Sequence, residues 1–438
     1  VYHTNPRIVV TPNDSTLREY EQTFANTLML FEERADGNYK GTGLFGNSTK
    51  LYSTPKLLEK IQDDNDNRVD QQTVLRARLF DMWIGDWDRH DDQWRWASFK
   101  TDKGLRFEPI PRDRDQAFFL NEGILPKIVS RRWLMPKFQG FDYTIRLVPE
   151  FNNNARFFDR SFLAEPSRAD WLAMADTLQR NMTDDAIQKA MDHLPEPARK
   201  LSAETLTAKL KQRRADLKRY ADIQYRFLAK AVDVTGSDKQ ELFDVTRLPD
   251  GQTDVVVYKL NKEKEPAQVL YKRRFDPAET KEVRLYGLGG DDRFVVRGSA
   301  PAGSLLRIIG GKGDDVVTDS SSVRGVSRKT WVYDLRKNTT ISGGSEIRSR
   351  LSDNKAVNNY DRNAFRYNLT MPLITVQANP DDGLFLGGGV LRRTQGFRKE
   401  PFAQQHRITA NHAFATNAFN FHYDGTFTDL LGKADLVI

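Results

Sequence analysis

The chain contains no cysteine, so its fold depends on neither disulfides nor thiol chemistry. No signal peptide opens the sequence, and no apolar run approaches the roughly 20 residues of a membrane-spanning helix. No nucleic-acid-binding motif accompanies the net charge of +7, so we expect no nucleic-acid partner. The chain begins with Val and breaks off within a strand predicted near residues 433–438; we therefore expect a fragment.

At 438 residues, the chain is too long for one hydrophobic core and suggests about three domains. We predict an α+β module over residues 1–235 and a small all-β domain of sandwich or solenoid type over residues 236–350. Residues 360–438 are predicted to start an antiparallel transmembrane β-barrel, incomplete within this chain. The boundaries follow the end of helical periodicity near residue 232 and the change to longer strands near residue 365.

The first module begins with a strand predicted at residues 7–10. The apolar residues after Ser15, such as Phe24, predict a helix or a change from helix to strand. The glycines of GTGLFG, residues 41–46, are predicted to form a flexible loop rather than a phosphate-binding loop, because no clear strand and helix bracket them. Residues 71–84 are predicted to form a helix with an apolar face.

Two clusters of carboxylates organise the centre of this module. Asp86 and Asp88 follow the predicted helix, whereas Asp113 and Asp115 follow the second strand of a hairpin predicted for residues 94–99 and 105–110. The hairpin returns both clusters to the same end of the sheet. Carboxylates held this close repel one another and need arginines, a proton or a divalent metal that carries a phosphate. The alternative is a structural hairpin held by salt bridges.

Two motifs carry a resemblance to a known group of proteins. The run GDWDRH, with Gln93 five residues after Asp88, resembles the catalytic loop of atypical kinases of the spore-coat CotH, toxin HipA and secretory-pathway types. The run PRDRDQAF, which contains Asp113 and Asp115, resembles the P-x-D-x-D-x-x-F metal-binding segment of the CotH type. Together the motifs resemble large Bacteroidetes surface proteins. In these, the module follows a calcineurin-like phosphoesterase and precedes an outer-membrane barrel.

The resemblance implies a metal-dependent phosphotransferase with named roles for its acids. Asp88 would be the catalytic base, and Asp113 would hold Mg²⁺ or Mn²⁺, with Asp115 and Asp86 as further candidate ligands. Gln93 stands where a metal-binding Asn is expected and offers the same carbonyl oxygen on a longer stem. ATP is the implied nucleotide, and the resemblance places its phosphate-binding Lys upstream of this chain. The alternative is a degenerate kinase-like module that binds ligands but does not catalyse phosphoryl transfer.

A long helix is predicted from about residue 203 to 232, with an apolar stripe on one side. Its other face holds six basic residues: Lys209, Lys211, Arg213, Arg214, Lys218 and Arg219. This face would suit a phosphate-rich surface, but an ordinary solvated basic face is favoured.

Two glycine-rich turns lie in the small β-domain. GGKGDDVV, residues 310–317, fits the calcium-binding β-roll pattern and makes Asp315 a candidate calcium ligand; GLGGDDRF, residues 287–294, is a degenerate copy with Asp292. Copies of a β-roll follow every nine residues or so, whereas these lie 23 residues apart. We therefore expect tight turns capped by Asp rather than a stacked calcium array.

After residue 365 the strands lengthen to about ten residues and alternate apolar with polar or small residues, a pattern typical of transmembrane β-barrels. The runs NPDDGLFLGGG and GFRKEPF also resemble the barrels of bacterial surface antigens. A barrel of this kind implies that the chain contacts outer-membrane lipid. The modules before the barrel would then lie in the periplasm or at the cell surface. A soluble β-sandwich is the alternative.

Three hypotheses for function follow. The first is a fragment of an outer-membrane-anchored envelope protein of a Gram-negative cell, with a kinase-like phosphotransferase module. The second is a scaffold without catalysis that links an upstream phosphoesterase domain of the same chain to the barrel. The third gives the barrel the main role, in export or assembly of surface molecules.

Overall fold

The computed structural model describes residues 7–10, 28–31, 37–381, 383–432 and 434–438. These residues form two compact units: the described residues up to Leu120 with Gly140–Tyr360, and the described residues of Asn121–Gln139 with those of Asp361–Ile438. The predicted strand at residues 7–10 is confirmed and pairs antiparallel with Leu28–Phe31. The change of structure predicted between Ser15 and Phe24 lies outside the described residues.

The helices and strands carry the following labels, in chain order. The helices are α1 (Thr54–Asp63), α2 (Gln71–Ile84), α3 (Ile124–Val129), α4 (Val148–Phe151), α5 (Arg156–Phe162), α6 (Arg168–Asn181), α7 (Asp184–Asp192) and α8 (Glu196–Leu228). The strands of the first part are β1 (Arg7–Val10), β2 (Leu28–Phe31), β3 (Leu51–Ser53), β4 (Arg68–Val69), β5 (Trp94–Lys100) and β6 (Leu105–Pro111).

The later strands fall in two groups. The first group is β7 (Ala231–Thr235), β8 (Glu241–Arg247), β9 (Thr253–Leu260), β10 (Pro266–Phe275), β11 (Glu282–Gly289), β12 (Arg293–Ala300), β13 (Leu305–Lys312), β14 (Asp315–Asp319), β15 (Ser322–Val323), β16 (Thr330–Tyr333), β17 (Thr339–Gly343) and β18 (Ile347–Ser349). The second group is β19 (Leu369–Asn379), β20 (Gly383–Thr394), β21 (Gln404–Ala413), β22 (Ala418–Leu431) and β23 (Ala434–Val437).

Helix α2 carries the chain into the predicted acid-rich region, and its bounds match the prediction. It begins where the side chain of Asp70 accepts a hydrogen bond from the backbone N–H of Thr73, the usual cap of a helix start. It ends at Gly85, whose left-handed φ of 79° favours glycine. A Cβ at Gly85 would also lie only 2.6 Å from the ring of Phe141. The helix packs against the sheet of order β3-β5-β6-β4.

The long helix α8 starts earlier than predicted. It begins at Glu196, directly after Pro195 and with Pro197 in its first turn, where proline is well suited. The favoured solvated basic face is confirmed only in part, because Lys218 and Arg219 are exposed whereas other members of the face are not. Arg213 is buried and donates to the backbone carbonyl of Trp83 at 2.8 Å, and Arg214 lies 2.6 Å from Asp184. None of the described helices has the length and apolar character needed to cross a membrane.

The small β-domain has the strand arrangement of a solenoid rather than a sandwich. Strands β7, β11, β13, β16 and β18 form one parallel sheet, and β8, β12, β14 and β17 run parallel in another. Successive strands alternate between the sheets, so the chain coils. Strands β9 and β10 extend the second sheet antiparallel. The enclosed core consists of apolar side chains such as Phe243 and Phe294, whose rings stack at 4.6 Å.

The coil and the preceding helices belong to the same compact unit, although the sequence predicts a boundary near residue 235. Buried contacts join them: the Asn65 amide donates to Glu241 at 2.6 Å. The Tyr225 hydroxyl donates to Glu279 at 2.9 Å.

The second unit contains the open antiparallel sheet of order β19-β20-β21-β22-β23. Its five strands fall in the stretch after residue 365, where the sequence predicts long alternating strands.

Candidate functional site

The β5–β6 hairpin brings the two acidic segments to the same end of the sheet, as predicted. Trp94 pairs with Pro111, so the residues just outside the hairpin lie side by side. The backbone N–H of Arg112 donates to the carbonyl of Gln93 at 2.9 Å, and the Arg89 guanidinium donates to the carbonyl of Arg112 at 2.6 Å. Asp88 and Asp113 are therefore each one residue away from this contact.

Asp88 is held by an amide that the sequence analysis did not single out. The side chain of Asn154 donates a hydrogen bond to Oδ1 of Asp88, and Oδ2 lies 4.0 Å from Nε2 of His90. About a quarter of the Asp88 side chain is exposed, so an incoming hydroxyl group has access to it. A partly exposed carboxylate whose orientation is set by an amide is suited to accept a proton from a bound substrate.

Asp113 and Asp115 lie exposed on the segment that follows β6. Asp113 adopts a left-handed backbone conformation with φ of 53°, which is uncommon outside glycine and clusters at functional sites. Asp115 accepts a hydrogen bond from the Gln116 amide at 2.9 Å. Two such carboxylates suit Mg²⁺, which commonly takes one or two carboxylates, substrate phosphates and water.

Gln93 lies close to the same place but is mostly enclosed. Its backbone carbonyl accepts hydrogen bonds from Arg112 and from Arg89, the latter at 3.1 Å. Its side-chain nitrogen lies 3.4 Å from Nε2 of His90. The structure therefore places Gln93 between the two acidic segments, where its main chain helps to join them.

Asp86 lies apart from the exposed acids, inside a buried network of arginines and aspartates. The Arg89 guanidinium lies 3.3 Å from Asp86 and 3.2 Å from Asp81. Asp81 also contacts Arg78 at 2.9 Å and Arg114 at 2.8 Å. Burial raises the pKa of Asp86 to about 6, against the opposing effect of Arg89. An adjacent guanidinium and exclusion from solvent make Asp86 a poor fit for a metal ion.

This network agrees in part with the alternative hypothesis of a structural hairpin held by salt bridges. Arg89 and Arg114 form ion pairs with buried carboxylates rather than with the exposed ones. Among the residues that the structure describes, no three His, Cys, Asp or Glu side chains are grouped to hold a metal ion. Asp113 and Asp115 thus fit a divalent metal only if a ligand such as a phosphate supplies further oxygens.

The two Gly-Asp turns lie one above the other at a corner of the coil. The backbone N–H of Asp292 donates to Oδ1 of Asp315 at 2.9 Å, and the N–H of Glu241 donates to Asp292 at 2.8 Å. The spacing of 23 residues excludes a β-roll but equals one turn of this coil, since Arg293 pairs with Val316. The two turns lie on successive coils, and at each an Asp side chain accepts a backbone hydrogen bond, in keeping with the expected Asp-capped turns. Calcium binding stays a prediction.

The next coil adds a carboxylate that the motif does not contain. Asp334 directly follows Tyr333, the register partner of Ile309, and a Cβ on Gly310 would collide with Oδ2 of both Asp334 and Asp315. Both side chains are buried, and their carboxyl groups interact directly with each other. Burial, together with the nearby Asp334, raises the pKa of Asp315 to about 8. The pKa of Asp292 also lies well above its usual range because of burial and Glu241.

Three functional or structural residues escaped the sequence analysis. Asn154 belongs to the run of three asparagines between α4 and α5, an unusual run that could have suggested an amide close to the acids. Asp81 gave no signal, because a single acid within an apolar helix is indistinguishable from a surface residue. Asp334 lies in a turn without glycines, so the glycine pattern could not reveal it.

Comparison with family models, with curated proteins and with solved structures finds no match for this chain.

Proposed function

We propose that this chain is part of an outer-membrane-anchored envelope protein of a Gram-negative cell, whose C-terminal sheet begins a transmembrane β-barrel. One observation carries the proposal: one face of the sheet presents a broad exposed apolar surface, whereas the other holds a cluster of ion pairs and polar hydrogen bonds. The rest of the chain would then lie in the periplasm or at the cell surface.

One face of the sheet is apolar and exposed. Cross-strand pairing places Ile374, Gly388, Ala410 and Phe421 in one row across four strands. Neighbouring rows supply further exposed apolar side chains: Val376, Leu384, Leu386, Val390, Ile408, Phe419 and Tyr423. Ile374 is 84% exposed and Phe421 is 78% exposed, an apolar surface that water does not favour and lipid does.

The opposite face is polar where β20, β21 and β22 meet. Arg407 forms an ion pair with Asp424, and His422 lies 2.8 Å from the same carboxylate. The Arg393 guanidinium donates to Gln405 at 2.6 Å. A sheet with an apolar outer face and a hydrogen-bonded polar inner face is the pattern of strands that cross a membrane around a polar interior.

Flotation of the full chain with phosphatidylcholine vesicles tests the anchor. We expect the chain to float with the vesicles, and the double variant Ile374→Asp/Phe421→Asp to lose most of this binding, because charges on the lipid face are costly. Val326→Asp is the matched control, since Val326 is fully exposed in the other unit. Equal binding of the wild type and the double variant would contradict the proposal.

A second candidate function, metal-dependent phosphoryl transfer, is supported by the Asn154–Asp88 hydrogen bond. In the proposed step the γ-phosphoryl group of ATP passes to a substrate hydroxyl oxygen, the hydroxyl proton passes to Asp88, and ADP leaves. Mg²⁺ or Mn²⁺ on Asp113 and Asp115 would neutralise charge on the phosphates. Asn154 orients the base throughout.

Transfer of labelled phosphate from ATP to the chain or to an added envelope fraction tests this step. Asp88→Asn should abolish transfer while leaving Mn²⁺ affinity unchanged; Asp92→Asn, an exposed acid four residues away, is the control. Transfer that survives Asp88→Asn would refute the role of Asp88. No transfer by a wild-type chain that binds Mn²⁺ and ATP would favour the scaffold between an upstream phosphoesterase and the membrane.

A further inference from the structure

The segment Asn121–Gln139 is distinctive because the chain leaves the first compact unit at Leu120 and returns to it at Gly140. The ends of this excursion are held together, since the backbone N–H of Phe141 donates to the carbonyl of Phe119 at 2.6 Å. The segment itself belongs to the same unit as the two-faced sheet. Because the segment shares a unit with the sheet, both can bind the same partner surface.

Its apolar side chains face solvent rather than a core. Ile124 is 81% exposed and Leu125 is 71% exposed, both in the short helix α3. Three further residues of the segment are also exposed: Ile128, Leu134 and Met135. Helix α3 contains no buried residue. Isolated exposed apolar residues are ordinary, but five within a dozen positions indicate a binding surface.

The same segment is strongly basic. Between Asn121 and Gln139 it holds one acid, Glu122, and four basic residues: Lys127, Arg131, Arg132 and Lys137. Arg131 is exposed, and Lys127 lies within α3 among the exposed aliphatic residues. Trp133 is partly exposed between the basic and apolar positions. Aliphatic, aromatic and cationic side chains on one short element match the interface of an anionic membrane.

We propose that Asn121–Gln139 binds the anionic headgroups of the membrane into which the C-terminal sheet inserts. Ile124 and Leu125 enter the boundary between headgroups and acyl chains, while Lys127 and Arg131 contact lipid phosphates. The inference rests on the proposed membrane anchor. A protein partner with an acidic surface is disfavoured, because the apolar side chains lie on the same unit as the exposed apolar sheet.

The test compares binding of the full chain to phosphatidylcholine vesicles and to vesicles of equal parts phosphatidylcholine and phosphatidylglycerol. We expect tighter binding to the anionic vesicles, and about 25-fold weaker binding to them for Lys127→Gln/Arg131→Gln, at about fivefold for each removed charge. Binding to neutral vesicles should not change. The matched control is Lys100→Gln/Lys103→Gln, which removes two exposed charges at the β5–β6 turn.

A second variant, Ile124→Ser/Leu125→Ser, should weaken binding to both vesicle types, because it removes the apolar contact. Unchanged preference for anionic vesicles in the charge variant, with sheet-dependent binding intact, would overturn the inference and leave the membrane anchor standing. Charge-dependent binding to anionic vesicles with none to neutral vesicles would support the inference and count against insertion of the sheet. Matching circular dichroism spectra exclude unfolding of each variant.

Discussion

The backbone N–H of Asp292 donates a hydrogen bond to the carboxylate of Asp315 at 2.9 Å, from one coil of the solenoid to the next. The same corner continues to Asp334, so a line of buried carboxyl groups follows the coil. Like charges this close cannot all be ionised without a proton or a cation between them. The corner therefore links the stability of the coil to pH.

Stability of the chain should fall as the pH rises from about 4 towards 8. The pKa of Asp315 is about 8 in the fold and near 4 when unfolded, so the folded state binds the extra proton over this range. Above the folded pKa the loss is complete and the curve levels off. Thermal melting between pH 5 and 9 measures this effect. Asp315→Asn should flatten the curve, whereas Asp250→Asn, in an exposed turn, should leave its slope unchanged.

Calcium binding at the same corner gives a second prediction about stability. If Oδ2 of Asp315 and Oδ2 of Asp334 hold Ca²⁺, adding CaCl₂ at pH 9 should raise the melting temperature of the wild type and leave Asp315→Asn unaffected. No response would show that the corner holds no Ca²⁺, and an equal response to MgCl₂ would show that it does not select Ca²⁺ over Mg²⁺.

Gly310 should tolerate no side chain. A Cβ there would collide with the carboxylates of Asp315 and Asp334, both buried, so Gly310→Ala should lower the free energy of unfolding by about 1–3 kcal/mol. Gly344→Ala is the control, because a Cβ at Gly344 meets nothing within 4 Å and should change stability by less than about 0.5 kcal/mol. Urea titration measures both. Equal stability of the two variants would contradict the packing at this corner.

Much of the fold follows from local pattern. The bounds of α2 were predictable because Asp70 caps its start, Gly85 ends it and an apolar stripe runs between them. The solenoid arrangement was left open, because parallel pairing joins residues such as Val283 and Leu306 that no local turn connects. The repeat of 23 residues was visible, but one coil length is not fixed by any local rule.

The buried network around Asp81 should dominate the stability of the first module. Asp81→Asn leaves Arg78, Arg89 and Arg114 with too little buried negative charge, and we expect a loss of about 3–5 kcal/mol in the free energy of unfolding. Asp254→Asn should cost less than about 1 kcal/mol, although it also breaks an ion pair, because its partner is exposed to solvent. Comparable losses for the two variants would mean that Asp81 contributes no more than a surface acid.

The site could be predicted from the sequence only in part. The hairpin pattern predicted that the segments carrying residues 86–88 and 113–115 lie at the same end of the sheet, and the pairing of β5 with β6 places them there. Their separation into buried and exposed acids was not predictable, because it depends on Arg89 turning inward to Asp81 and Asp86. The sequence shows which arginines lie near the acids, but it does not show which carboxylate each arginine contacts.

That separation leads to a specific prediction about metal binding. Asp113 is exposed, whereas Asp86 is buried beside Arg89. Asp113→Ala should therefore weaken Mn²⁺ binding in the presence of ATP by about 100-fold or more, since loss of a supporting group alone costs 10–100-fold. Asp86→Asn should leave the affinity for Mn²⁺ unchanged.

Calorimetric titration of the full chain with Mn²⁺ distinguishes these outcomes, and Asp102→Ala, in the exposed β5–β6 turn, is the control for removal of a surface acid. A loss of affinity in Asp86→Asn as large as that in Asp113→Ala would mean that Arg89 leaves Asp86 when metal binds. The buried network would then open as part of the site. If only Asp113→Ala weakens binding, the exposed acids bind the metal, and Asp86 and Arg89 support the end of α2 from beneath.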